Sequence, residues 1–238
     1  MKLKPESSAK ISEIFFSFQG EGLFAGKPQV FVRFSGCNLS CSYCDTYHKS
    51  GKDMTPRAAL LEILGLIRNH FKSNNKIFKP SVAFTGGEPL LRADFLSAVL
   101  PELKKAGVKV YLETNGILFK EYARVSGYVD VVAMDIKLMP DCKNSSLALH
   151  RQFLKACRKK AFVKIVLTDK TARAEFVKAL SLIAGISKKV SLVLQPATGQ
   201  NGRLGIKPAR LYEFTRLARE KLNNVYVLPQ MHKIWNIR

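Results

Sequence analysis

The sequence is short of acids. Across 238 residues, 18 Asp and Glu stand against 39 Lys and Arg, for a formal net charge of +21. That balance raises the question of nucleic acid. The longest basic clusters, Arg158–Lys160 and Lys188–Lys189, are however short, sit beside predicted helix ends and have no interleaved aromatics, so a nucleic-acid partner is not expected. No run approaches the roughly 18 uncharged apolar residues that span a bilayer. The opening segment MKLKPESSAKISEIFF has no apolar stretch followed by a small-residue cleavage site, so no secretory signal is expected and the cytosol is the expected compartment. Repeats, low-complexity tracts and linkers are also lacking, which predicts a single domain over residues 1–238, with short N- and C-terminal segments added to its core. A disulfide framework is excluded by an odd count of five cysteines. Three of them lie together at Cys37, Cys41 and Cys44, which points to a metal or to catalysis. Cys142 and Cys157 lie far away and read as incidental, Cys157 on a buried helix face.

With 47% apolar residues, the chain can bury a large core. Strand-length apolar runs occur at 29–34, 81–85, 108–113, 129–134, 162–168 and 190–195, and a shorter one at 225–228. Between them lie helical spacings. Residues 56–71 start with Thr55 as N-cap and Pro56 at the first helical position. Residues 92–106 end at Gly107 and residues 119–126 at Gly127, both C-cap signals. Residues 145–159, 171–184 and 208–222 complete the set. Strands apolar on both faces and alternating with helices predict an α/β fold with a mainly parallel sheet, best fitted by a partial, open (β/α) barrel of about six parallel strands. Ligands then belong at the C-terminal ends of the strands.

The segment FSGCNLSCSYCDT spaces its cysteines C-x3-C-x2-C, just after the first of these predicted strands. A cubane cluster needs thiolates that converge on separate irons, and a short loop carrying Asn38, Ser40 and Ser42 can wrap that way. Three ligands leave one iron open. The alternative is a zinc site completed by a nearby histidine such as His48, but zinc sites usually add a second cysteine pair, so the spacing favours iron–sulfur. Thr85-Gly86-Gly87-Glu88-Pro89 ends the second strand, where two glycines let backbone approach a ligand and Glu88 offers a carboxylate to an ammonium. Alone, this could be an ordinary strand-to-helix turn. Further polar residues follow at strand ends: Glu113 and Asn115, Asp135 and Lys137, and Gln195.

The cysteine spacing, with Tyr43 before the last cysteine, resembles the signature of the radical S-adenosylmethionine (SAM) superfamily. That resemblance implies a 4Fe–4S cluster whose open iron chelates the amino and carboxylate groups of SAM, and reductive cleavage of SAM to a 5′-deoxyadenosyl radical. It places Gly86, Gly87 and Glu88 at the SAM amino group. Glu113, Asn115, Asp135, Lys137 and Gln195 fall to its ribose, carboxylate or adenine surroundings. Three segments narrow the likeness: Ser17-Phe18-Gln19-Gly20-Glu21-Gly22, Phe31-Val32-Arg33-Phe34-Ser35-Gly36-Cys37 and Val227-Leu228-Pro229-Gln230-Met231-His232-Lys233. With Cys44-Asp45-Thr46 they are similar to the 7-carboxy-7-deazaguanine synthase family, from about residue 11 to the end.

This second resemblance implies a carbon–nitrogen lyase of 7-deazapurine (queuosine-type) biosynthesis, contracting the ring of 6-carboxy-5,6,7,8-tetrahydropterin with loss of ammonia and the help of Mg2+. It implies a homodimer and an electron donor such as flavodoxin or ferredoxin. Gln19, Glu21, Gly22, Arg33, Gln230 and His232 would bind substrate. Glu21 can accept from the N–H edge of the pterin, and the planar fork of Arg33 suits its carboxylate. Mg2+ prefers oxygen, and Thr46 supplies a hydroxyl that Asp45 can orient. One departure stands out: Met134-Asp135-Ile136-Lys137 occupies the place of a Ser-Pro-Lys type segment in bacterial members. A D-x-K also occurs in activases of glycyl-radical enzymes, which form the rival enzyme reading. A basic zinc-binding RNA module is the rival that is not an enzyme.

Overall fold

The computed structural model describes residues 8–44, 50–71, 79–139, 141–199 and 202–237. In chain order its elements are β1 (Ala9–Phe18), β2 (Pro28–Phe34), β3 (Ser40–Cys41), β4 (Lys52–Met54), α1 (Pro56–His70), β5 (Ser81–Gly86), α2 (Ala93–Lys105), β6 (Lys109–Thr114), α3 (Phe119–Val125), β7 (Val131–Asp135), β8 (Cys142–Lys143), α4 (Leu147–Cys157), β9 (Ala161–Leu167), α5 (Arg173–Ile186), β10 (Leu192–Pro196), α6 (Pro208–Arg219), β11 (Val225–Val227) and α7 (Met231–Trp235). Each strand-length run and each helical spacing read from the sequence folds as such, with ends shifted by a few residues. The Thr55 hydroxyl accepts from Ala58 N at 3.2 Å as the N-cap of α1. Gly107, at φ 72°, closes α2 while Val108 N returns to Leu103 O at 3.0 Å.

Nine strands form one sheet in the order β11-β10-β9-β7-β6-β5-β2-β1-β4. From β2 to β11 every pairing is parallel, which gives seven parallel strands rather than about six. The sequence reading missed the antiparallel edge, where β1 pairs with β2 and β4 pairs with β1. The reason is chemical. β1 reads AKISEIFFSF, with Lys10, Ser12 and Glu13 breaking the continuous apolar run that marks a strand covered on both faces.

The two faces of the sheet carry different cores. The larger one lies under the helices and includes Val32, Phe34, Phe84, Val110, Leu112, Val132, Ile165 and Leu192. The other face carries a small cluster of Phe15, Phe31, Ala83, Tyr111, Ala133, Phe162 and Val193. Side chains two residues apart on a strand share a face. Two residues after each member of this small cluster on β2, β5, β6, β7, β9 and β10 stand Arg33, Thr85, Glu113, Asp135, Lys164 and Gln195. An apolar layer thus supports a polar one at the C-terminal strand ends.

Phe34, fully buried, meets Phe95 edge-on at 5.7 Å and Phe84 at 6.3 Å. Phe34→Ala is expected to lower the free energy of unfolding by about 3–5 kcal/mol in a urea titration. A loss below 1 kcal/mol would contradict this packing.

Candidate active site

The polar layer opens into a cavity of about 810 Å3. Its walls carry Cys37, Cys41 and Cys44, the strand-end residues Arg33, Thr85, Glu113, Asp135, Lys164 and Gln195, and the flanking Gln19, Glu21, Gln230 and His232. Nearly every candidate residue from the sequence is therefore gathered in one place. Thr46, Asp45 and His48 lie outside the described residues.

The loop bearing the cysteines is fixed from two sides. On one side, the turn after β5 packs against its start: Gly87 N donates to Phe34 O and Glu88 N to Gly36 O, both at 2.9 Å. A Cβ on Gly87 would lie 1.7 Å from the Gly36 carbonyl oxygen, so only glycine permits this approach. On the other side, β3 pairs with β8, placing Cys142 directly opposite Cys41. Asn115 Nδ2 bridges to Asn38 Oδ1 at 2.8 Å and reaches Cys37 Sγ at 3.8 Å. A hydrogen bond with Cys142, then burial, raises the Cys41 thiol above its ordinary range, and burial raises Cys37. As free thiols both hold their protons, which a metal has to displace. Cys142, read from sequence as incidental, is a buried neighbour of a candidate ligand; Cys157 is buried on α4 as expected.

Glu88 differs from expectation. It is 1% exposed and does not line the cavity. Its carboxylate accepts from Asn115 N at 2.7 Å, Thr114 Oγ1 at 2.8 Å and Leu90 N at 3.1 Å. It therefore locks the β5 and β6 ends together rather than meeting an ammonium in the cavity. Burial lifts its carboxyl to about 7. Gly22 is likewise buried off the wall, at φ 65°, where a Cβ would strike the Phe162 ring.

The floor of the site is a chain of charges. Lys164, 5% exposed, pairs with Glu21 and stands 3.4 Å from Asp135, which also takes Lys137 at 3.1 Å. Burial alone would drive the Lys164 ammonium down; Asp135, Glu21 and Glu113 outweigh it and hold the pKa raised. Glu113 accepts from Gln19 Nε2 and Thr85 Oγ1, each at 2.8 Å. Burial pushes the Glu113 carboxyl up, and the Lys164 ammonium opposes that shift. Asp135 Oδ1 and Gln195 Oε1 are buried acceptors with no partner among the described residues, and both residues face the cavity. Such a wall suits a ligand that brings N–H or O–H donors.

The loop after β1 and the C-terminal segment close the cavity together. Gln230 Nε2 donates to Glu21 Oε1 at 2.9 Å, and Met231 N donates to Gly20 O at 2.8 Å. A Cβ on Gly20 would lie 2.5 Å from the His232 side chain, so α7 sits flush on the Gln19–Gly22 loop. The Arg33 Nε donates to Glu13 at 2.7 Å and its guanidinium lies over Phe15, 5.5 Å from the ring centre. The fork is thereby oriented at the rim before any ligand arrives.

Sequence reasoning missed Lys164, Thr85 and His150. Lys164 was visible as the single polar position of the otherwise apolar β9, and Thr85 as a polar residue at the end of β5, both in phase with the other site residues. His150 gave no such signal. It lies on α4 and its Nε2 meets the Asn115 carbonyl at 2.9 Å, so that nitrogen carries the proton.

Known proteins share both the sequence pattern and the fold. The family model for the radical SAM superfamily matches residues 31–188. A 7-carboxy-7-deazaguanine synthase of Geobacter sulfurreducens is 38% identical, over 94% of this chain and 96% of that protein. Those of Methanopyrus kandleri and Methanothermobacter thermautotrophicus are 31% and 33% identical, each over 97% of this chain and over 95% and 98% of their own lengths. Among solved structures, QueE from Escherichia coli superposes with a TM-score of 0.60 at 21% identity, covering 97% of both chains. A radical SAM methyltransferase from Sphaerobacter thermophilus gives 0.62 at 13% identity, covering 92% of this chain and 77% of its own. The fold is thus shared by enzymes of different chemistry.

The two groups that brace Asn115 respond to acid with opposite sign. Burial lowers His150 to about 4 from 6.5, so the unfolded chain binds more protons between those values and stability falls as pH drops through them. Glu88, raised to about 7 from 4.5, holds its proton in the folded state first, so its contribution rises on acidification. Each amounts to about 3 kcal/mol across its window. Between pH 7 and pH 4.5, His150→Gln is expected to shift the change in unfolding free energy toward stabilisation relative to wild type, and Glu88→Gln toward destabilisation. Urea titrations at the two pH values check this, and shifts of the same sign would contradict it.

Proposed function

The chain belongs to the radical SAM superfamily and, within it, to the 7-carboxy-7-deazaguanine synthase family, and from that membership we propose how its cavity serves the conversion of 6-carboxy-5,6,7,8-tetrahydropterin to 7-carboxy-7-deazaguanine. When bound, a 4Fe–4S cluster and SAM supply the 5′-deoxyadenosyl radical that takes hydrogen from the substrate. Everything else falls to the protein's own residues.

Cys37, Cys41 and Cys44 hold the cluster and leave one corner open. The fit rests on the donor set: three thiols on one cavity wall, beside two buried acceptor oxygens that still need donors. Asp135 and Gln195 take hydroxyl or ammonium donors of SAM. Lys137 faces its carboxylate, and Asn115, braced by Glu88 and His150, keeps the cysteine loop in place. The backbone of Gly86 and Gly87 gives SAM close approach. On the substrate side, Glu21 accepts from the N–H edge of the pterin, with Gln230 fixing its carboxylate and Gln19 holding its backbone N–H. Arg33 takes the pterin carboxylate with the nitrogens that Glu13 does not occupy. Gly22 shapes the loop, and His232 covers the substrate from α7. Thr46 offers Mg2+ a hydroxyl close to the cluster loop. A one-electron donor of the flavodoxin or ferredoxin type, and a homodimer, complete the proposal.

The observation that carries this reading is the joining of three thiols and a six-residue polar layer in a single cavity closed by Glu21 and Gln230. The test is anaerobic. Reconstituted protein should contain about four irons and four sulfides per chain, and should convert the carboxytetrahydropterin to a deazaguanine acid with release of ammonia, read by product mass. Iron-loaded protein that cleaves SAM but leaves the pterin unchanged would overturn it. Arg33→Lys, which loses the bidentate geometry, should raise KM for the pterin roughly 10- to 100-fold; an unchanged KM removes Arg33 from the pocket. Thr46→Ala should shift the Mg2+ titration of the rate to higher concentration, and superimposable titrations would refute that role.

A further inference from the structure

Basic clusters that are short and separate in the sequence meet on one face of the molecule. Arg158 and Lys159 follow α4 and lead into β9. Lys188 and Lys189 follow α5 and lead into β10, and Lys221 follows α6 and leads into β11. Those three strands are neighbours and parallel, so all these lead-ins lie at the same end of the sheet, opposite the reaction cavity. Backbone contacts tie them together. Val163 N donates to Ser191 O at 2.9 Å, Asn223 N to Lys188 O at 3.0 Å, and Asn224 Nδ2 to Lys189 O at 3.1 Å.

The charges are available. Lys155, Arg158, Lys159, Lys188, Lys189 and Lys221 are exposed, and none forms an ion pair among the described residues. No acid occurs in the sequence between Asp141 and Asp169. The nearby acids are engaged elsewhere, Asp130 by Lys104 and Glu220 by Arg216. A favourable helix dipole accounts for a cation in the last turn of a helix. It does not account for pairs placed beyond the ends of α4 and α5, or for the missing counter-charges.

The face is also concave. A second cavity of about 690 Å3 is walled by Lys155, Arg158, Lys159 and Lys160 together with Ser126 and Gly127. The Lys160 ammonium donates to Val129 O at 2.7 Å and Ser126 O at 3.0 Å, so it builds the wall and leaves its neighbours to face outward. Next to Gly127 in the chain, Tyr128 is 38% exposed and presents a flat aromatic surface.

We propose that this face binds the phosphate backbone of a nucleic acid. Neighbouring strands lie about 4.8 Å apart, so cations distributed over three of them exceed the reach of one phosphate. They form a strip that successive phosphates can follow, and Tyr128 offers a base a stacking surface. Because the strip lies at the far end of the sheet from the thiols, binding there leaves the reaction cavity open.

The test is fluorescence anisotropy of the full-length protein with a labelled RNA hairpin of about 20 nucleotides over a NaCl series. Two quadruple variants each remove four positive charges. One is Arg158→Gln/Lys159→Gln/Lys188→Gln/Lys189→Gln. The other is Lys52→Gln/Arg57→Gln/Lys120→Gln/Lys207→Gln, from exposed positions elsewhere. Circular dichroism and turnover, unchanged in both, establish that they fold. The first variant should weaken hairpin binding at least about tenfold and flatten the log–log salt slope by roughly two to three, as expected for lost phosphate contacts. The second should change affinity less than about twofold, since distant charges are screened. Equal weakening by both variants would show bulk charge alone and overturn the proposal. So would absence of binding at low salt, or displacement of the hairpin by inorganic tripolyphosphate at equal phosphate concentration, which would mark a site for small anions.

Discussion

The ammonium of Lys164 interrupts an otherwise apolar strand, β9, and the site is built around satisfying it. A buried, unpaired ammonium costs several kcal/mol even after the surroundings relax. Here Glu21 and Asp135 offset that cost directly, with Glu113 close by. The three carboxylates come from different parts of the chain: the loop after β1, the end of β7 and the end of β6. Glu21 in turn receives Gln230 from the C-terminal segment. One charge therefore obliges four segments to meet, and their meeting place is the cavity. Pairs of this kind add little net stability compared with an apolar core, but removing one partner strands the other. Their contribution is to fix where the segments go.

The layering of the sheet explains why this network forms at one level. In each of six parallel strands, the residue facing the cavity side is apolar or small first and polar two positions later. The apolar layer, with Phe31, Tyr111 and Phe162, seals the lower part of the cavity side. The polar layer follows at the strand ends, where loops can reach it. The rule that ligands bind beyond the carboxyl ends of parallel strands is met here by a two-residue step in side-chain chemistry. At the opposite end of the sheet, the lead-ins to β9, β10 and β11 carry exposed cations, so the two ends of the sheet present different chemistry to solvent.

Much of this arrangement is legible in the order of the residues. The C-x3-C-x2-C loop, the Gly86-Gly87 turn and the polar residues at strand ends each have a local signature, and parallel topology guarantees that signatures at strand ends converge. Strand β1 is not legible because Lys10, Ser12 and Glu13 interrupt its apolar pattern. The inward turn of Glu88 is invisible because a carboxylate following two glycines has the same sequence whether it faces a ligand or the amide of Asn115. Cys142 looks incidental because its relation to Cys41 is a two-residue strand pairing across about a hundred positions, with no periodicity to announce it. Lys164 escapes notice for the opposite reason: it lies inside a run read for its apolar character, and its phase with Asp135 shows only when the strands are aligned.

The Lys164 charge holds the loop after β1 and the C-terminal segment over the cavity, and hydrogen exchange of the full-length protein, read by mass spectrometry, measures this directly. The variant is Lys164→Met, which keeps an unbranched side chain one atom shorter and removes the charge. Amides of residues 19–27 and 228–237 are expected to lose protection together, by at least about tenfold in exchange rate, while β5 and α2 keep theirs. Unchanged exchange in those two segments would contradict the role given to this charge.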